Sequence, residues 1–303
     1  MKETLPRPLL VIGAGTMGAG IAQVAAAAGD TVFLYDQVPE APRRAIDRIA
    51  ASLQRATAKG HIDANSAQRT LEHIKPQATM DCAADCGVVI EAVKEDQAIK
   101  QSVFQKLDSI VSRPTWLCTN TSMISITALA SVLRDKSRFC GTHFFNPVPK
   151  MKLVEVIAGR ETSAAAIEAA RSMVTRWGKT AVLAPDSPGF IVNRVFDAIK
   201  REALGLHEQG VDVAQIDQAL RLGLNFPMGP FELMDLIGLD TTYDCLANQA
   251  RQMNRAPEFG NALPNLVAAG RLGCKSGSGF YEHEINKQPR PGSKPSKSDA
   301  TVT

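Results

Sequence analysis

LLVIGAGTMGAGIAQVAAAAGD, residues 9–30, begins with four apolar residues, passes through glycines at 13, 15 and 18, and runs on into an Ala-rich segment. This is G-x-G-x-x-G between a strand and a helix. Gly13 allows a tight turn, Gly15 lets a pyrophosphate come close to the backbone, and Gly18 lets the helix lie against the strand. The unpaired N–H groups and positive end of such a helix attract phosphate. Glycines also mark ordinary turns, so the context decides. The next strand, TVFLYD, closes on Asp36, 23 residues after Gly13. A carboxylate there accepts the adenosine ribose hydroxyls and repels a 2′-phosphate, so the expected cofactor is NAD rather than NADP.

Outward from this motif, short apolar runs alternate with helical patterns. Strands are predicted over 9–12, 31–36, 87–93, 115–119, 138–145, 152–158 and 180–184, with helices over 16–29, 96–111 and 163–177. That alternation predicts a Rossmann-type doubly wound α/β sheet, mostly parallel, over residues 1–185. The connection from Asp36 to Gly87 is far longer than a crossover requires, and it reads as an inserted helical hairpin at about 39–75. Its first helix carries Arg43, Arg44, Arg48, Arg55 and Lys59 against Asp47 alone. Ser52 and Lys59, two turns apart, share a face. A phosphorylated ligand could lie along it, or the face could simply be solvated. After Pro185 the texture becomes helical throughout, predicting an all-helical domain over 186–284. The tail 285–303 has little apolar material to bury and is expected to be disordered.

HFFNPVPKMKLVE places His143 and Glu155 on two predicted strands joined by too few residues for a parallel crossover. The strands should pair as an antiparallel hairpin centred near Pro149, with His143 facing Glu155. A carboxylate on one imidazole nitrogen fixes the tautomer and raises the basicity of the other, as a general base for alcohol oxidation needs. The alternative is a structural histidine in a plain cross-strand contact. The other histidines, 61, 73, 207 and 283, show no comparable partner in the sequence. Asn120, Thr121 and Ser122 follow a strand at the edge where ligands of open α/β sheets bind, although Ser125 and its neighbours could equally form a helix-capping turn. Asn193, polar within an apolar helical stretch, reads as a core amide or a ligand contact.

The 303 residues are 45% hydrophobic and 21% charged, with net charge +3. The segment 286–303 alone carries +3, so the folded body is near neutral and no nucleic-acid or membrane partner is expected. Six cysteines lack C-x-x-C or zinc spacing. Reduced, mostly buried thiols and no metal are expected. MKETLPRPLLVIGAG is too short in its apolar run for a secretory leader, and a cytoplasmic location is expected.

GAGTMGAGIAQ, NTS, HFFNPVPKMKLVEV, DSPGFIVNR, FPMGPFELMDLIGLDT and KSGSGFY together resemble the short-length L-3-hydroxyacyl-CoA dehydrogenases, 3-hydroxybutyryl-CoA dehydrogenases among them, from about Leu9 to Tyr281. The resemblance implies His143 as catalytic base, Glu155 as its orienting partner, and Ser122 and Asn193 as substrate-positioning groups. It implies cofactor contacts at Gly13, Gly15, Gly18, Asp36, Glu95 and Lys100, and cofactor-side contacts at Asn146 and Lys275. Ser52 and Lys59 fall where the family meets the phosphorylated adenosine of coenzyme A. An acyl-CoA substrate and a homodimer built through the helical domain are also implied. L-gulonate dehydrogenases share the fold and a histidine base without needing a basic hairpin. Dehydrogenases of the 6-phosphogluconate type would use a lysine instead, and a non-catalytic NAD-binding protein would keep the fold alone.

Overall fold

The structure is a computed structural model that describes residues 8–111 and 115–284. The expected disordered tail lies outside the described residues. The chain divides into two compact units, Met1–Ile191 and Val192–Thr303.

The first unit is an eight-stranded sheet in the order β3-β2-β1-β4-β5-β6-β7-β8. Strand β1 (Leu9–Ile12), α1 (Thr16–Ala27) and β2 (Val32–Tyr35) form the opening βαβ unit, and α2 (Ala41–Ala58) and α3 (Ala64–Glu72) lead to β3 (Ile74–Gln77). Then come β4 (Val88–Glu91), α4 (Gln97–Ile110), β5 (Trp116–Thr119), α5 (Ile126–Ala130), β6 (Phe139–Phe144), β7 (Leu153–Ala158), α6 (Ala164–Arg176) and β8 (Thr180–Ala184). All pairings are parallel except β6 with β7.

Both faces of the sheet are covered, which is why β1, β4 and β6 are buried at every position rather than at alternate ones. Leu9 and Val11 join one core with Ala22, Ile49, Val154 and Met173. Leu10 and Ile12 point the other way, into a core with Phe104, Leu117, Ile126 and Phe139. The Phe104 and Phe139 rings meet edge to face at 4.8 Å, worth about 0.5–1.5 kcal/mol beyond their burial. Across the first core Asp30, 1% exposed, accepts from Arg176 at 2.6 Å and from the Trp177 indole at 2.7 Å, tying the start of β2 to the end of α6.

Two sequence expectations need correction here. The inserted hairpin stops at Glu72, and IKPQ forms a further strand, β3, that the sequence did not announce. Its polarity and Pro76 are tolerated because β3 is an edge strand paired only with β2. Three of the six thiols, Cys86, Cys118 and Cys140, are buried and the other three are half-buried, fewer than expected. No helix among the described residues is long and apolar enough to cross a membrane.

The second unit packs α7 (Val192–Glu208), α8 (Val213–Leu224), α9 (Pro230–Ile237), α10 (Leu239–Gln252) and α11 (Ala262–Ala268) around Leu204, Ile216, Phe231, Met234, Leu246 and Leu263. Gly238, at φ 105°, breaks what reads as one helix into α9 and α10. Isolated bridges pair Gly273 with Ser278 and Ser278 with Glu282.

Two buried carboxylates organise this core. Asp217 of α8 accepts from the Phe231 and Glu232 amides in the first turn of α9, and from the Tyr281 hydroxyl at 2.7 Å. Gly229 sits beside it because a Cβ would fall 2.2 Å from that carboxyl carbon. Asp235 accepts from the Phe280 and Tyr281 amides, and its Oδ2 lies 2.6 Å from His283 Nε2. His283 therefore does have a carboxylate partner, contrary to expectation. The partner lies 48 residues away, beyond any local pattern.

Burial pushes the Asp217 carboxyl up from 3.8 to about 6, outweighing its hydrogen bonds. Because the folded value is the higher, the fold favours the protonated form. The stability gained from that preference is complete below about pH 3.8 and is lost as pH rises through about 6. Between pH 4 and 6 the wild type should lose stability relative to Asp217→Asn by at most about 3 kcal/mol. Urea titrations of both chains across that range check this, and a difference independent of pH would rule out the raised carboxyl.

Candidate active site

The ends of β1 and β2 form the first part of the site. Gly13 turns at φ 101°, and a Cβ on it would strike Ala92 O at 2.5 Å. A Cβ on Gly18 would lie 1.7 Å from Gly13 O, whereas one on Gly15 would meet nothing within 4 Å. Gly15 is the N-cap of α1 and supplies no side-chain cap, so the first amides of the helix face an open space. The half-buried Asp36 accepts the Ala14 amide at 2.7 Å through Oδ2, and Arg48 of α2 donates to Ala14 O at 2.7 Å. Open amides at a helix start, with a carboxylate close by, fit a dinucleotide.

The loops after β4 and β5 are held by a chain of charges. Glu91, at the end of β4 and 0% exposed, accepts from Val93 N and from Lys100 Nζ at 2.7 Å through Oε1. Its Oε2 accepts from Thr119 Oγ1 at 2.6 Å. Lys100, also 0% exposed, reaches Glu95 Oε2 at 3.3 Å. Glu95 Oε1 in turn accepts from Thr121 Oγ1 at 2.6 Å, Ser122 N at 2.8 Å and Met123 N at 3.1 Å. Lys100 thus acts on the loop through two carboxylates, and Glu95 holds the backbone of Ser122. Ser125 caps α5 through a bond from Ala128 N.

Strands β6 and β7 carry the dyad. Their register puts His143 opposite Glu155, and Nδ1 lies 2.7 Å from Glu155 Oε2. His143 is 4% exposed and Glu155 0%. A neutral imidazole that donates its Nδ1 proton to that carboxylate carries its lone pair on Nε2. Asn120 Oδ1 accepts from Phe144 N at 2.9 Å, joining the end of β5 to the strand bearing the histidine. The exposed Asn146 begins the turn between the two strands. Lys179 Nζ steadies that turn by donating to Val148 O at 2.6 Å and Met151 O at 2.7 Å, and burial lowers its pKa.

Beside α1, a cavity of about 1020 Å3 is lined by Ser52, Arg55 and Lys59 of α2, Arg69 of α3, and Lys150 and Lys152 after β6. Among the described residues its lining includes no aspartate or glutamate, so it favours a polyanion. Asn193, second residue of α7, and Lys275, paired with Asp240, belong to the second unit. Sequence reading had missed Glu91, whose signal was a lone acid inside the apolar run VVIEAV. It had also missed Arg48 as a neighbour of the turn.

Residues 9–187 match the family model of the 3-hydroxyacyl-CoA dehydrogenase NAD binding domain, and residues 189–283 match that of the C-terminal domain. The chain is 43% identical over 281 residues to the 3-hydroxyadipyl-CoA dehydrogenase of Escherichia coli K12, covering 92% of this chain but only 59% of that protein. It is 40% identical over 282 residues to a probable 3-hydroxybutyryl-CoA dehydrogenase of Bacillus subtilis, covering 92% and 98%. The crystal structure of (S)-3-hydroxybutyryl-CoA dehydrogenase PaaH1 from Ralstonia eutropha superposes with TM-score 0.86 at 36% identity, covering 91% and 98%. The chain belongs to the 3-hydroxyacyl-CoA dehydrogenase family, and its first unit carries the family's NAD-binding domain.

The three glycines should separate by experiment. Gly15→Ala is expected to melt within about 2 °C of wild type yet to weaken NADH binding at least about tenfold. Gly18→Ala is expected to lower the melting temperature sharply. Thermal melts and NADH fluorescence titrations read both, and undiminished NADH affinity in Gly15→Ala would remove that residue from the cofactor site.

Proposed function

We propose that the protein catalyses the reversible, NAD-dependent oxidation of a short (S)-3-hydroxyacyl-CoA, of the 3-hydroxybutyryl-CoA class, to the 3-ketoacyl-CoA. The observation that carries this reading is the buried His143–Glu155 pair, 2.7 Å apart on adjacent strands. His143 Nε2 takes the hydroxyl proton, and the Glu155 carboxylate stabilises the imidazolium that forms. The bound nicotinamide supplies the acceptor for the hydride leaving C3. Ser122, in the loop held by Glu95, and Asn193 of the second unit position the hydroxyl and the thioester end.

Gly13, Gly15, Gly18 and Asp36 hold the dinucleotide, with Glu95 and Lys100 shaping its nicotinamide side and Asn146 and Lys275 as further contacts. The basic cavity supports coenzyme A as the non-reacting half of the substrate, since Ser52 and Lys59 are both in its wall. Cations on a rigid helix suit phosphate recognition. The names of the relatives, with butyryl and adipyl acyl groups, keep the proposed substrate short. The second unit exposes Val195 (57%), Leu222 (77%) and Leu224 (58%). Apolar side chains bared to that extent support a homodimer formed through this unit, acting in the cytoplasm.

NADH consumption with acetoacetyl-CoA tests the reading, with NADPH and with L-gulonate plus NAD+ run in parallel. Rapid turnover with NADH and acetoacetyl-CoA alone is expected. His143→Gln should lower kcat about 10²–10⁴-fold, the range for loss of a general base, with the NADH dissociation constant little changed. Near-normal turnover in that variant would refute the assignment of the base.

A further inference from the structure

Within the first unit, the segment Asp186–Ile191 is tied at both ends to chemistry-bearing elements. Asp186 Oδ1 accepts from Ile126 N at 2.8 Å, and its Oδ2 accepts from Thr127 N at 2.9 Å, Thr127 Oγ1 at 2.6 Å and Ser125 Oγ at 3.0 Å. At the other end Ile191 N donates to Glu155 Oε1 at 3.0 Å, the oxygen that does not meet His143. Between them lies a tight turn, closed by the Phe190 N to Ser187 O bond at 2.9 Å.

Phe190 has φ 50°, a conformation that bulky side chains rarely adopt and that surrounding structure must impose. Its ring is 1% exposed and lies 5.6 Å from the His143 ring, tilted by 56°. The Phe145 ring lies 4.5 Å from the same imidazole. A strained aromatic residue in contact with a reacting imidazole, followed at once by the amide that binds its carboxylate partner, is an arrangement in which strain accompanies pre-organisation.

We propose that Phe190 is a positioning residue of the His143–Glu155 dyad: the turn anchored by Asp186 presses its ring against the imidazole and brings the Ile191 N–H onto Glu155. The ring limits rotation of the imidazole about χ1 and χ2. The N–H occupies the second carboxylate oxygen, so that Oε2 stays committed to Nδ1. Phe190 acts through the dyad alone. The inference rests on the general-base reading above for its catalytic consequence, but its geometric part does not depend on turnover.

A double-mutant cycle tests it in the full chain. Phe190→Ala should lower kcat about ten- to a hundredfold, the scale of an ångström-sized misplacement, with KM for NADH changed less than about twofold. Phe190→Leu, which keeps the apolar bulk, should recover part of the loss, and it carries the cycle if the alanine variant does not fold. In a Glu155→Gln background the same substitutions should cost less than about threefold, because the dyad they position is already broken. Equal losses in the two backgrounds, or undiminished kcat in Phe190→Ala, would overturn the proposal. Proton NMR of the unliganded protein supplies the readout that needs no substrate. The downfield imidazole Nδ1–H resonance should be present in the wild type, lost in Glu155→Gln and displaced in both Phe190 variants, and an unmoved resonance would overturn the proposal. Failure of the wild type to reduce acetoacetyl-CoA with that resonance behaving as expected would instead count against the reaction assigned, leaving the positioning role standing.

Discussion

A carboxylate with no exposed surface must find all its partners within the protein, and Glu155 is such a group. Much of the first unit can be read as the means of satisfying it. Reversing β7, and β8 with it, against the other six strands brings His143, only twelve residues earlier, directly opposite. A parallel neighbour would have had to come from beyond a crossover connection. The second oxygen is met by Ile191, which reaches it because Asp186 has fixed the preceding turn to the start of α5. The same edge of the sheet gathers the ends of β4 and β5, so the loop bearing Ser122 is built beside the end of β6, the strand that carries His143.

Charge is handled differently on the two sides of that edge. Lys100 is fully buried and pairs with both Glu91 and Glu95. Buried ion pairs of this kind add little net stability over an apolar core, but removing one member leaves an unmatched charge and is costly. Their value lies in geometry: three donors from residues 121–123 converge on one oxygen of Glu95. Lys179 is solvated by two carbonyl oxygens, and burial lowers its pKa.

What the sequence makes legible follows from how local each signal is. The glycine turn and its strands lie within residues 9–36, where Gly13 takes a positive φ and Gly18 packs against the Gly13 carbonyl. The His–Glu register was readable because a short turn allows only one simple pairing. IKPQ was not readable as a strand, since its place at the sheet edge, and not its composition, makes Pro76 acceptable there. Asp186, Phe190 and Ile191 gave no local sign either. Their partners lie 36 to 61 residues away along the chain, and nothing about an aspartate before Ser-Pro-Gly says which helix it will cap.

The carboxylates of the second unit bear on how it is made. Asp235 lies on α9, yet the amides of Phe280 and Tyr281 and the imidazole of His283 come from the far end of the unit. A nascent chain emerging from the ribosome has all of α7–α11 available before it has those groups. Until they arrive, burying α9 leaves Asp235 without those donors, and burial of that carboxyl favours its protonated form. A chain stopped at the end of α11 would keep the described helices and their apolar residues and still lack the donors that satisfy Asp235.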